Sequence, residues 1–185
     1  MDDNVLEASH KTGLRKLVSC LSNCIFPAKT TYSINERMIH DGPPSLCHTG
    51  FAYARRLLNI KSRMYHSEHC NCPFVSVIPA NVFGPHANFS PKGGHVIPSL
   101  IAKTYNAKGA ARAIQSSGKP LEIWGTGRVL RQFIYSADVA RLIVWVLREY
   151  EEPDPIILSV DESDEISVLE LVEVITRIIG YQGSI

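Results

Sequence analysis

Residues 74–79 read FVSVIP, an apolar run broken only by Ser76. A strand with one wet face alternates apolar and polar residues. A continuous run needs cover on both faces, as parallel strands flanked by helices have. The segment KLVSCLS (16–22) is a second run of this kind. Between the two, the stretch from Gly50 to about His69 is helical in pattern, with apolar Leu57, Leu58, Ile60 and Met64. Strand, helix and strand form a βαβ unit, the building block of a doubly wound sheet. The expected fold class is therefore α/β, with a partial doubly wound parallel sheet.

The other elements follow from local signals. Residues 3–12 read as the tail of an amphipathic helix stopped by Gly13. The stretch from Asn23 to Thr49 is a long loop punctuated by proline and glycine, too long for a mere connector. A second long loop, ANVFGPHANFSPKGG, leads into a helix around 96–107. LEIWG and RQFIY are expected as short strands, and 138–149 as a helix. IILSV (156–160) is expected as a strand and 167–179 as a helix with Ser167 as its N-cap. A doubly wound dinucleotide-binding domain opens with a strand, a glycine-rich turn and a helix that receives the pyrophosphate. These 185 residues contain no such opening, so either the domain is of another kind or its first units lie outside this chain.

Composition removes several functional classes. With 19 basic and 18 acidic residues, the chain has no electrostatic case for nucleic acid or an anionic membrane. Its longest apolar runs, such as LIVWVL (142–147), fall far short of a membrane span. The start, MDDNVLEASHKTG, lacks the basic flank and apolar stretch of a signal peptide. Five cysteines in such a chain point to reduced thiols and a cytoplasmic setting.

Three places carry candidate chemistry. SCLSNCIFP (19–27) puts Ser22 and Cys24 just past the end of an expected parallel strand, where open α/β sheets bind ligands. NVFGPH and GGHVIP supply Asn81 and His95 after the next strand. WGTGRVLRQF offers Trp124 as a stacking surface and Arg131 as a fixed cation for a phosphate or nucleotide. Taken singly, Cys24 is more often a small buried hydrophobe, His95 can be a helix cap, and Trp124 is more often core. HSEHCNC crowds His66, His69, Cys70 and Cys72, but the spacing fits no common zinc pattern, and no metal is expected.

Jointly, SCLSNCIFP, GFAYARR, VIPANVFGPHANF, GGHVIPSLI, WGTG with RQFIY, and REY with PIILSV occur in an order that resembles one family. That family is the GDP-L-fucose synthases, 3,5-epimerase/4-reductases of the extended short-chain dehydrogenase/reductase group. The resemblance covers the middle of that family's chain. It implies that residues 1–90 and 132–160 belong to a Rossmann-like NADP-binding domain, and 91–131 and 161–185 to a smaller α/β substrate domain. It further implies a GDP-sugar substrate, NADP(H) as cofactor and a homodimer when complete.

By the same resemblance, Ser22, Cys24 and His95 match the family's catalytic serine, cysteine and histidine. Arg55, Asn81, Val82 and His95 fall at cofactor-binding positions, and Lys103, Trp124 and Arg131 at positions contacting the GDP part of the substrate. The family's reductase tyrosine and lysine positions hold Phe51 and Arg55, which lie one turn apart on one helix face. Phenylalanine has no proton to give, and a planar guanidinium does not replace a compact ammonium. Two readings follow: an enzyme segment with its epimerase residues present and its reductase pair altered, or a non-catalytic homologue that binds nucleotide sugar or serves as a dimer partner.

Overall fold

The computed structural model describes residues 2–69, 73–113, 120–123 and 125–184, with side chains for all of these but 110–113. The chain divides into two compact units, Met1–Val82 with Ala137–Ser159, and Phe83–Ser136 with Val160–Ile185.

The first unit is built on three parallel strands in the order β1–β2–β6, where β1 is Leu17–Cys20, β2 is Phe74–Pro79 and β6 is Ile156–Leu158. Leu17 to Cys20 pair with Phe74 to Val77, and Val77 to Pro79 pair with Ile156 to Leu158. Helices α1 (Asp2–Lys11) and α2 (Thr49–Glu68) cover one face, and α4 (Ser136–Glu149) covers the other. The alternation along β2 explains its apolar run. Phe74 and Ile78 pack with Leu6 and Leu58 on one side, while Val75 and Val77 pack with Val146 and Leu158 on the other. Gly13 follows α1 at φ +66°, a left-handed conformation that stops the helix at little steric cost.

Helix α2 inverts the usual pattern. The side it buries carries Ala52, Arg56, Leu58, Asn59 and Ser62, and Ser62 Oγ lies 3.4 Å from Ser19 Oγ on β1. Of the apolar positions that mark this helix in the sequence, only Leu58 is buried. Tyr53, Leu57, Ile60 and Met64 are exposed, spaced as a single stripe along the helix. The expected long loop before α2 is not featureless: it contains three short 3-10 turns, Asn23–Ile25, Glu36–His40 and Leu46–His48. The first two are N-capped by the side chains of Ser22 and Asn35.

The second unit packs α3 (Val96–Ala113) against α5 (Val168–Ile179) through Ile97, Leu100, Leu171, Val172 and Ile175. Its two-residue strands β4 (Leu130–Arg131) and β7 (Ile166–Ser167) pair antiparallel. Strand β3 (Asn81–Phe83), where the chain enters this unit, and β5 (Phe133–Tyr135) bring the strands among the described residues to seven, and the rings of Phe83 and Tyr135 tilt against each other 5.7 Å apart. Helix α5 has both ends specified. Ser167 and Glu170 form a reciprocal capping box, and Gly180 closes the C-terminus at φ +70°. The expected strand at LEIWG does not form among the described residues. Leu121 is instead buried in the α3–α5 core, with its N–H donated to the Ser184 carbonyl at 3.0 Å. No helix among the described residues is long and apolar enough to cross a membrane.

Candidate functional site

Parallel strands deliver their following loops to one edge of the sheet. In the first unit the chain leaving β1 turns at once into the 3-10 turn Asn23–Ile25, and the chain leaving β2 enters β3 at Asn81. The two exits are tied together. Leu21 donates its N–H to Val77 O at 2.8 Å, and Asn23 Nδ2 donates to Asn81 Oδ1 at 3.2 Å. Ser22 caps the turn, its Oγ accepting from the Cys24 N–H at 3.5 Å. Ser22 and Cys24 are both half-buried, so neither side chain is sealed in the core.

Helix α2 starts at the same end. Phe51 and Arg55 lie on its first two turns, and the Arg55 guanidinium sits 5.2 Å from the centre of the Phe51 ring. Arg55 Nη1 also donates to Asp2 Oδ2 of α1 at 3.3 Å. The Phe51 ring is 51% exposed. Cys20, the last residue of β1, has its thiol pKa raised by burial, an effect that the positive charge of Arg55 partly offsets.

One turn residue is gripped by a side chain that the sequence reading passed over. Arg56 is 6% exposed and donates Nε–H to the Ile25 carbonyl at 2.7 Å. Burial lowers its pKa, and the Tyr53 ring lies 5.5 Å from its guanidinium carbon. The available signal was its spacing from Ala52 and Asn59, which puts all three on one helix face.

The second unit carries the other candidates. His95 immediately precedes α3, is exposed, and accepts at its carbonyl from the Ser99 N–H at 2.9 Å. The loop before it is tightly folded. Asn88 Nδ2 donates to Gly93 O, and Ser99 Oγ donates to Ser90 O and Gly94 O. A Cβ on Gly94 would lie 2.3 Å from the Asn88 carbonyl oxygen, so only glycine fits there. Lys103 is half-buried on α3. Arg131 is exposed on β4 and donates Nη1–H to Leu130 O at 2.8 Å. Trp124 lies outside the described residues. So do Cys70 and Cys72 of the HSEHCNC segment, and the described residues contain no metal-binding group of three ligands. Ser22, Cys24, Phe51, Arg55, Asn81 and Val82 thus belong to the first unit, and His95, Lys103 and Arg131 to the second.

Comparison with known proteins adds a framework. The model of the NAD dependent epimerase/dehydratase family matches residues 1–160. The chain is 48% identical to a GDP-L-fucose synthase of Dictyostelium discoideum over 185 residues, covering 100% of this chain and 55% of that protein. It is 42% identical to a probable GDP-L-fucose synthase of Drosophila melanogaster, covering 99% of this chain and 57% of that one. A crystal structure of a GDP-L-fucose synthetase from Naegleria fowleri bound to NADP superposes with a TM-score of 0.90 at 38% identity, covering 99% of this chain and 56% of that chain. The chain therefore spans about half the length of the curated relatives it matches.

Proposed function

Because the chain belongs to the NAD dependent epimerase/dehydratase family, we propose that it is the middle part of a GDP-L-fucose synthase-like protein whose epimerase residues are Ser22, Cys24 and His95. The observation that carries this reading is the capped turn directly after β1, which holds Ser22 and Cys24 at the ligand-binding edge of a parallel sheet. The substrate is GDP-4-keto-6-deoxy-D-mannose. Its ketone acidifies the protons at C3 and C5, and their removal leaves an enolate with charge on O4. Ser22 Oγ accepts from the Cys24 N–H, and its own O–H is the donor to O4 where that charge develops. The Cys24 thiol and the His95 imidazole exchange the protons at carbon. Lys103, Trp124 and Arg131 hold the GDP part, where fixed cations suit a pyrophosphate.

NADPH, when bound, supplies hydride to C4. The first unit is compatible with such a cofactor, since Val82 stands 41% exposed beside Asn81 where the chain leaves β2. Arg55, Asn81, Val82 and His95 are the residues that would hold it. The proton that must reach O4 during reduction has no donor at Phe51, so the reductive half-reaction is impaired.

The non-catalytic reading is favoured by one observation: Arg55 is engaged by Asp2 and by the Phe51 ring rather than left open toward a ribose. The complete protein is a homodimer, and the exposed stripe of Tyr53, Leu57, Ile60 and Met64 is the surface that supports this. Free Cys20, Cys24 and Cys47 suit the reducing cytoplasm.

The test completes residues 1–185 with the flanking parts of the Dictyostelium relative and supplies the keto sugar in heavy water. Mass spectrometry should find deuterium at C3 and C5, while NADPH absorbance falls very slowly. Binding of the GDP-sugar without any exchange would establish the non-catalytic reading instead.

A further inference from the structure

We propose that Arg56 is a positioning residue that fixes the Ser22–Cys24 turn from beneath, so that the presentation of Cys24 depends on a buried guanidinium in α2. The proposal rests on the reading of Ser22 and Cys24 as site residues, but its geometry is independent of any substrate.

A buried arginine is costly to desolvate and is found where its hydrogen bonds are needed. Arg56 is 6% exposed, and its Nε–H reaches the carbonyl of Ile25 at 2.7 Å. Ile25 is the last residue of the 3-10 turn, itself 0% exposed, and adjoins Cys24. The flanks of this turn are tied to Val77 and Asn81, but the bonds within the turn are long, the Phe26 N–H reaching Asn23 O at 3.3 Å. Ser22 Oγ bonds the Cys24 N–H at 3.5 Å, the limit of such a contact, and the Ile25 N–H reaches Ser22 O at 3.2 Å. The short, charge-assisted bond from Arg56 is therefore the strongest anchor on the segment. Tyr53, one turn earlier on α2 and 49% exposed, places its ring centre 5.5 Å from the guanidinium carbon. The arginine is thereby capped by an aromatic ring and aimed inward at the turn. Arg55 and Arg56 are adjacent yet serve different ends, the first paired with Asp2 and the second with a backbone oxygen.

The experiment measures thiol accessibility in the 185-residue chain without any substrate. Iodoacetamide labelling at Cys24 and Cys47 is followed by peptide mass spectrometry, with Cys47, an exposed thiol, as the internal reference. Arg56→Met keeps much of the apolar stem and removes the donor. It should raise the Cys24-to-Cys47 labelling ratio about tenfold, the scale of one lost charge-assisted hydrogen bond. Arg56→Lys, which keeps a cation on a long stem, should fall between wild type and Arg56→Met. Circular dichroism must show that each variant retains its helices. If Arg56→Met does not fold, Arg56→Gln takes its place, with the same expected rise. An unchanged labelling ratio in a folded Arg56→Met or Arg56→Gln variant overturns the proposal. So does an equal rise at both thiols, because that reports general loosening rather than release of the turn. Neither result bears on substrate exchange at C3 and C5, so this proposal and the functional reading fail separately.

Discussion

At the residue scale, the first turns of α2 pair an aromatic ring with a cation. Phe51 and Arg55 face each other across one turn, the guanidinium 5.2 Å from the ring centre. On the proposed reading, Phe51→Tyr together with Arg55→Lys, in a chain completed from a relative, puts a phenol and an ammonium where reduction needs them. Reduction of the 4-keto sugar, followed by NADPH absorbance, should rise about a hundredfold or more, the usual scale for a positioned general acid. Equal rates before and after the double change would show that Phe51 does not occupy the acid position. The ion pair of Arg55 with Asp2 is a surface interaction, so Asp2→Asn should cost under about 1 kcal/mol in a denaturant melt.

At the element scale, α5 is the helix whose limits are most firmly encoded. Ser167→Ala removes the N-cap and should cost about 1 kcal/mol in thermal unfolding. The cap also sets a pH dependence. Hydrogen bonds from the Ser167 side chain and backbone lower the Glu170 pKa. A depressed carboxyl contributes stability that is complete above its unfolded pKa and lost as pH falls through the folded value. Melts of the wild type should therefore lose this contribution below the ordinary glutamate range, and Ser167→Ala should lose less. In the loop before α3, Gly94→Ala forces backbone atoms apart and should destabilise by about 1–3 kcal/mol, with increased proteolysis of residues 84–95 as the local sign. The capping signature at Ser167 and the apolar run at Phe74–Pro79 were legible because each rests on local chemistry. Burial along α2 was not, since its apolar stripe faces outward while Arg56 and Asn59 face inward, a choice made by tertiary partners. LEIWG misled for the same reason. A short apolar run becomes a strand only beside a partner strand, and Leu121 packs between helices instead. The place of Ser22 and Cys24 just past a strand was legible in the sequence, whereas the role of Arg56 needed the Ile25 carbonyl to be seen.

At the scale of the whole molecule, β1 lies at an edge of the parallel sheet among the described residues, and α2 exposes Tyr53, Leu57, Ile60 and Met64. An open edge and an apolar stripe both favour association. The 185-residue chain should therefore sediment as dimers or larger species, with a melting temperature that rises with protein concentration; a clean monomer with a concentration-independent melt would contradict this. The chain also passes from the first unit to the second, back, and out again, at Phe83, Ala137 and Val160. Synthesis therefore delivers the first unit in two instalments. When β2 emerges, Val75 and Val77 still lack Val146 and Leu158, the residues that cover them. Those arrive roughly 70–80 residues later, a delay of several seconds at ribosomal speeds of about 5–20 residues per second. For that interval one face of the nascent sheet is bare, and FVSVIP offers an apolar strand to a chaperone that grips such segments.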